Sequence, residues 1–295
     1  MNNTVFVGAA TAIVTPFRDD AIDYEQFGRL IEWQIEQGIN AIVVAGTTGE
    51  GPTLTDEEHK EIIKYCVEKV AGRVPVVAGT GSNDTAYAIA LTRYACEVGA
   101  DAMLLITPYY NKATQKGMIE SFRAVADAST KPCILYNVPS RTGCNLLPES
   151  VAELSKHPNI VGIKEASGNI SQVAKIAALC GEDIDIYSGN DDQIVPLLSL
   201  GGKGVISVLS NIAPADTVAI CEKYLSGDTK GAAAMQLDYL ELIDALFCEV
   251  NPIPVKAAVS AMGFGENSLR LPLTPMEAAH EQNLLALMRR HGIID

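Results

Sequence analysis

The chain has 295 residues, of which 48% are hydrophobic and 20% charged, an ordinary balance for a folded globular protein and one that argues against disorder. Its 36 acidic residues outnumber 22 Lys and Arg, and the resulting formal charge of −14 disfavours phosphate backbones and anionic lipid, so nucleic-acid and membrane partners are set aside. Seven cysteines without a C-x-x-C pair and four histidines without metal-ligand spacing fit neither a disulfide framework nor a zinc site, and point to a reduced, cytoplasmic protein without a structural metal.

Residues 1–7 lack the basic-then-apolar pattern of a signal peptide. Eight short apolar runs follow, at 10–14, 41–45, 75–78, 102–106, 133–136, 160–164, 184–187 and 204–208. They are near-continuously apolar rather than alternating, as strands buried on both faces should be. Helical stretches stand between them. In 24–37, Phe27, Leu30, Ile31 and Ile35 share one face. Thr55 caps the next helix, with Glu58 three residues on as its capping-box partner. Asn83 or Asp84 starts the one after, and Gly99 ends it. Residues 36–44 and 97–105 echo each other as helix end, glycine stop and buried strand.

Repeated strand–helix units with right-handed crossovers make a parallel sheet, and eight of them close it. The expected fold is therefore α/β, a (β/α)8 TIM barrel. An open doubly wound sheet is the alternative, weakened because no G-x-G-x-x-G follows the first run. Beyond Val208 the pattern is helical only, at 214–225, 228–247, 252–262 and 275–290. The first of these completes a barrel domain of residues 1–226, and the rest form a C-terminal helical extension, residues 227–295, packed on the barrel.

Barrel enzymes carry their chemistry at the C-terminal strand ends. Here those ends read Gly46-Thr47-Thr48-Gly49-Glu50, Thr107-Pro108-Tyr109-Tyr110, Tyr136-Asn137, Lys164-Glu165 and Ser188-Gly189-Asn190-Asp191. Lys164 closes an apolar strand, where burial would lower its pKa and supply the neutral amine that carbonyl attack requires. The ordinary alternative is a lysine paired with Glu165, although neighbours along a strand point to opposite faces. Tyr136 is either a core aromatic or a proton carrier at the barrel mouth. The hydroxyls and N–H groups of Thr47 and Thr48 suit a carboxylate, but a helix cap explains them too. Arg141 lies in a loop bounded by Pro139 and Gly143, either exposed or set to bind a carboxylate.

Taken together and in order, several motifs resemble the dihydrodipicolinate synthase group within the N-acetylneuraminate lyase superfamily, over nearly the whole chain. They are Ala12-Ile13-Val14-Thr15-Pro16-Phe17, residues 46–50, Tyr136 to Gly143, Gly162-Ile163-Lys164-Glu165 and Asn251-Pro252-Ile253-Pro254-Val255-Lys256. The resemblance implies condensation of pyruvate with L-aspartate-4-semialdehyde, the first committed step towards diaminopimelate and lysine. By the same resemblance, Lys164 forms an imine with pyruvate, so no cofactor or metal is needed. Thr48 holds the pyruvate carboxylate, and the Ile206 carbonyl and Gly189 lie beside the substrate. Tyr136 moves protons, linked through Thr47 to Tyr110. Arg141 binds the semialdehyde carboxylate. Tyr110 reaches into a neighbouring subunit's site, which implies a homo-oligomer, a tight dimer and commonly a tetramer.

Arg141 separates this branch from sialic-acid lyases and 2-keto-3-deoxygluconate aldolases, which usually lack it. A non-catalytic ligand-binding barrel would be expected to have lost Lys164 or Tyr136. The resemblance further implies a lysine-inhibition site around Gly51, Pro52, Asp56, His59, Asn83, Tyr87 and Tyr109. His59, Asn83 and Tyr109 fit the inhibited pattern, whereas Gly51, Pro52, Asp56 and Tyr87 depart from it, and Tyr87 replaces a carboxylate, so weak or absent inhibition by lysine is expected.

Overall fold

A computed structural model describes residues 4–295. The strands in chain order are β1 (Gly8–Ala12), β2 (Phe17–Arg18), β3 (Ala21–Ile22), β4 (Ala41–Val44), β5 (Val76–Gly79), β6 (Ala102–Ile106), β7 (Cys133–Asn137), β8 (Ile160–Glu165), β9 (Asp185–Ser188) and β10 (Gly204–Ser207). All but β2 and β3 form one closed parallel barrel, sealed where Gly8 of β1 pairs with Gly204 of β10. The expected (β/α)8 barrel is thus the observed fold.

Small inward side chains allow closure. Ala10, Ala12, Ala41, Val43, Val77, Ile134 and Ile206 fill the interior, with Phe6 stacked on Tyr187 at a ring separation of 4.3 Å. Outside, Phe27, Leu30, Ile62, Leu91, Phe122 and Ile176 press the helices onto the strands, and every one is buried. Thr55 and Glu58 form the anticipated capping box, and Asp84 rather than Asn83 caps the helix Thr85–Glu97.

Three details differ from the sequence expectation. The first strand ends at Ala12, two residues early. Ile13 and Val14 are buried beyond it; Ile13 N still donates to the Val43 carbonyl at 3.1 Å, but Val14 leaves the sheet, its N donating to Asn211 Oδ1 at 3.1 Å. Burial alone does not distinguish a strand from the buried turn after it. The hairpin β2–β3 was not foreseen; Asp19 and Asp20 turn it with φ of 50° and 63°, the positive pair that a tight two-residue turn demands. The stretch 228–247 is two helices, Thr229–Asp238 and Leu240–Leu246, meeting at Tyr239, whose ring stacks on His291 of the C-terminal segment at 4.4 Å. The remaining extension helices are Ile253–Ala261 and Ala278–Arg290.

Candidate active site

β7 and β8 run in register, with Tyr136 beside Lys164 and Asn137 beside Glu165. Strand alternation then sends the first pair to one face and the second to the other. Glu165 is occupied behind the barrel wall, accepting from Ser167 N at 2.7 Å, Asn137 Nδ2 at 3.0 Å and Gln172 Nε2 at 3.2 Å. The pairing of Lys164 with Glu165 is therefore excluded. Lys164 Nζ lies instead 4.4 Å from the centre of the Tyr136 ring.

Lys164 is only 6% exposed. Burial lowers its pKa to about 8, against the upward pull of the Asp191 carboxylate; the nearby Arg141 pushes it down further. Burial raises Tyr136, and Arg141 and a hydrogen bond with Thr47 partly offset this. Asp191 is buried at the turn after β9, with Oδ2 accepting from Val208 N at 2.9 Å and Leu209 N at 3.0 Å. Sequence reasoning placed Asp191 at a strand end but gave it no part in the site.

Gly189 has a steric requirement. A Cβ there would fall 2.5 Å from Ala166 Cβ and 3.0 Å from Lys164 Cε, so any side chain would displace the lysine. Arg141 sits on a one-turn helix, Pro139–Thr142, rather than in a loop, and its guanidinium donates to the Asn251 carbonyl at 3.1 Å. Asn251 also donates from Nδ2 to Thr48 Oγ1 at 3.0 Å, leaving the Thr48 hydroxyl proton free to be given elsewhere.

Thr47, Thr48, Tyr136, Arg141, Lys164 and Gly189 together line one pocket of about 170 Å³. Two of the anticipated residues do not. The Ile206 side chain is fully buried in the barrel interior beneath the pocket, and Val208, two residues on, forms the wall instead. Tyr110 is 89% exposed on a left-handed backbone with φ of 69°, outside this chain's pocket. Asn251 and Phe247 bring the C-terminal extension into the pocket wall. Asn251 stood in a motif noted in the sequence, but nothing in the pattern signalled its contact with Thr48.

A second cleft, of about 370 Å³, shares Gly46, Thr47, Leu104 and Tyr136 with the first. Gly51, Pro52, Asp56, His59, Tyr87 and Tyr109 line it, while Asn83 does not. Burial raises the Tyr87 hydroxyl to about 12, reinforced by its hydrogen bond with the Asp56 carboxylate. The cleft therefore holds the Asp56 carboxylate beside the Tyr87 hydroxyl. Among the described residues, no cluster of three His, Cys, Asp or Glu could hold a metal, and no helix is long and apolar enough to cross a membrane.

A buried amine beside a phenol, at the mouth of a closed barrel, belongs to a lyase of the class I aldolase type. The model of the dihydrodipicolinate synthetase family matches residues 5–291. The 4-hydroxy-tetrahydrodipicolinate synthase of Lachnoclostridium phytofermentans is 56% identical over 98% of this chain and 99% of its own. A dihydrodipicolinate synthase of Acinetobacter baumannii, solved in complex with pyruvate, superposes with a TM-score of 0.96 at 43% identity, covering 99% of this chain and all of that one. A relative from Cyanidioschyzon merolae, solved with lysine bound, has a TM-score of 0.96 at 41% identity, covering 98% and 99%. The chain belongs to the dihydrodipicolinate synthetase family.

Proposed function

We propose that this protein condenses pyruvate with L-aspartate-4-semialdehyde through an imine on Lys164, acting as a 4-hydroxy-tetrahydrodipicolinate synthase. The observation that carries the reading is a lysine buried at a barrel strand end, set against Tyr136, with its neighbouring carboxylate turned away. With a pKa of about 8, an appreciable fraction of Lys164 is neutral near pH 7.5 and free to attack. Attack on the pyruvate keto carbon and loss of water leave a cationic iminium. Thr48 holds the pyruvate carboxylate through its free hydroxyl proton. Tyr136, with Thr47 at its hydroxyl, carries protons to and from the adduct. Removal of a methyl proton gives an enamine, which attacks the aldehyde carbon while Arg141 holds the second carboxylate. The substrate's own amine then displaces Lys164 from the imine carbon and closes the ring.

In this reading the barrel, residues 1–226, carries the reacting groups, and the extension, 227–295, supplies walls and supports. Tyr110, exposed on a left-handed backbone, completes the site of a second copy, so the working unit is a homo-oligomer, at least a dimer.

Borohydride reduction with labelled pyruvate tests the imine. Covalent label on the peptide containing Lys164 supports the reading, and an unlabelled protein overturns it. Assays pairing pyruvate with aspartate semialdehyde, N-acetylmannosamine or glyceraldehyde fix the second substrate. Sedimentation of wild type and Tyr110→Phe, with activity measured alongside, tests the shared site.

A further inference from the structure

Glu50 ends the loop that begins at Gly46 and carries Thr47 and Thr48. Its backbone is left-handed, with φ of 54°, a conformation that glycine or asparagine adopts more readily than glutamate. Its side chain is therefore what the position is built around. The carboxylate is fully buried and doubly engaged: Oε1 accepts from Lys256 Nζ at 2.5 Å and Oε2 from Arg270 N at 3.0 Å. Lys256 and Arg270 both belong to the C-terminal extension. Both lie against one ring, Lys256 Nζ 4.2 Å and Arg270 Cζ 4.5 Å from the centre of Phe17. The Arg270 guanidinium reaches on to Glu58 at 2.6 Å and to the Thr53 carbonyl at 3.0 Å, past the far end of the same loop.

Among the ion pairs of the described residues, this one alone has both side chains almost wholly buried, at 2% and 0% exposure. The Arg270–Glu58 pair is 14% and 23% exposed, and Arg18–Asp23 is 49% and 5%. Burying two charges loses about as much in desolvation as their attraction returns, and an apolar pair often serves stability as well. Folding alone gives no reason for such a pair between an extension and a binding loop.

We propose that Glu50 and Lys256 are positioning residues: their buried pair holds the Thr47–Thr48 loop at the height where Thr48 meets the pyruvate carboxylate. The inference rests on the assignment of Thr48 to that carboxylate. The extension acts on the loop at two points, since Asn251 also donates to Thr48 Oγ1. The barrel supplies Lys164 and Tyr136, and the extension sets the loop opposite them.

The test uses the full-length double variant Glu50→Gln with Lys256→Met. It removes both charges, leaves no buried ion unpaired, and keeps a flexible side chain against Phe17. A melting temperature within a few degrees of wild type is expected. The KM for pyruvate should rise roughly tenfold to a hundredfold, as for a misplaced binding group. Label trapped on Lys164 at saturating pyruvate should stay complete, and the KM for the semialdehyde should stay within about twofold, a split that general loss of structure does not give. Glu50→Asp keeps the charge and shortens the arm by one methylene, and should raise the pyruvate KM in the same direction. A folded variant of either kind with the wild-type pyruvate KM would overturn the proposal. Failure of both to fold would overturn it too, by assigning the pair to folding. Absence of trapping in the wild-type protein would bring down the reading of Lys164 first, and this inference with it.

Discussion

Lys164 and Lys256 are both buried, at 6% and 3% exposure, and each ammonium lies over an aromatic ring, Tyr136 for one and Phe17 for the other. Burial lowers the pKa of both. What separates them is the carboxylate. Glu50 meets Lys256 at 2.5 Å and opposes that lowering, whereas the glutamate beside Lys164 in sequence is on the far side of the barrel wall. Only Asp191 counters the burial of Lys164, and it does so while held by the backbone of the turn after β10. In the proposed reading the same residue type is a tether at one place and a nucleophile at the other, and the distance to a carboxylate separates the two.

The comparison breaks most sharply on activity. Lys164→Ala should abolish pyruvate trapping and lower turnover by a factor on the order of 10⁴ or more, as loss of a covalent catalyst does. Borohydride labelling followed by mass spectrometry reads this, and label persisting in the variant would mean the wrong lysine has been chosen. Next in size is Lys256→Met alone, which strands the Glu50 charge. Melting should fall by the equivalent of about 3–5 kcal/mol, the usual loss when one member of a buried pair is removed. A variant as stable as wild type would show that the two lysines differ less than their surroundings suggest.

Lys164→Met should act in the opposite direction and stabilise. The lysine pKa drops from 10.5 to about 8 on folding, so between those values the unfolded chain binds more protons and wild-type stability rises with pH. Below pH 8 the full penalty applies, on the order of 3 kcal/mol from about 2.5 pKa units. The advantage of Lys164→Met should therefore be largest at pH 7 and fade as pH climbs through that window. Denaturant midpoints at several pH values measure it, and a pH-independent difference would remove the charge explanation. Arg141→Ala should lower kcat/KM for the semialdehyde by about 1.5–3 kcal/mol, or tenfold to a hundredfold, while leaving pyruvate trapping in place. Equal damage to both substrates would make Arg141 a support of the whole pocket. The smallest effect concerns free lysine as a ligand of the second cleft. Inhibition should be weak, and Asp56→Ala should remove what remains, because Asp56 is the carboxylate beside Tyr87. Calorimetry with and without pyruvate reads both, and micromolar inhibition surviving in Asp56→Ala would show that another group binds the ammonium.

Much of this was legible in the sequence. Strands of a closed parallel barrel are buried on both faces, so their apolar runs stand out, and reactive groups concentrate at their C-terminal ends. Lys164 was conspicuous as a charge at the end of such a run. Contacts between segments distant in sequence were not legible. The bond from Asn251 to Thr48 spans 203 positions, and that from Lys256 to Glu50 spans 206. No periodicity encodes either. The Asp56–Tyr87 contact is hidden for the same reason: a cleft is filled from whichever helix reaches it, and no single position in the sequence encodes that. The expected part for Ile206 lies in its carbonyl, and an apolar side chain on an inward strand position goes to the interior whatever its backbone does.

Tyr136 forms part of the wall of both cavities, and Thr47, bonded to its hydroxyl, does as well. Two compartments that share a phenol are thermodynamically linked if an occupant of one alters how that phenol sits. Linkage is symmetric: whatever factor a molecule in the larger cleft imposes on pyruvate affinity, pyruvate imposes on that molecule in return. With Tyr136 as the proposed proton carrier, the linkage would extend to hydrogen ions, and an occupied cleft should displace the pH profile of the reaction as well as its rate.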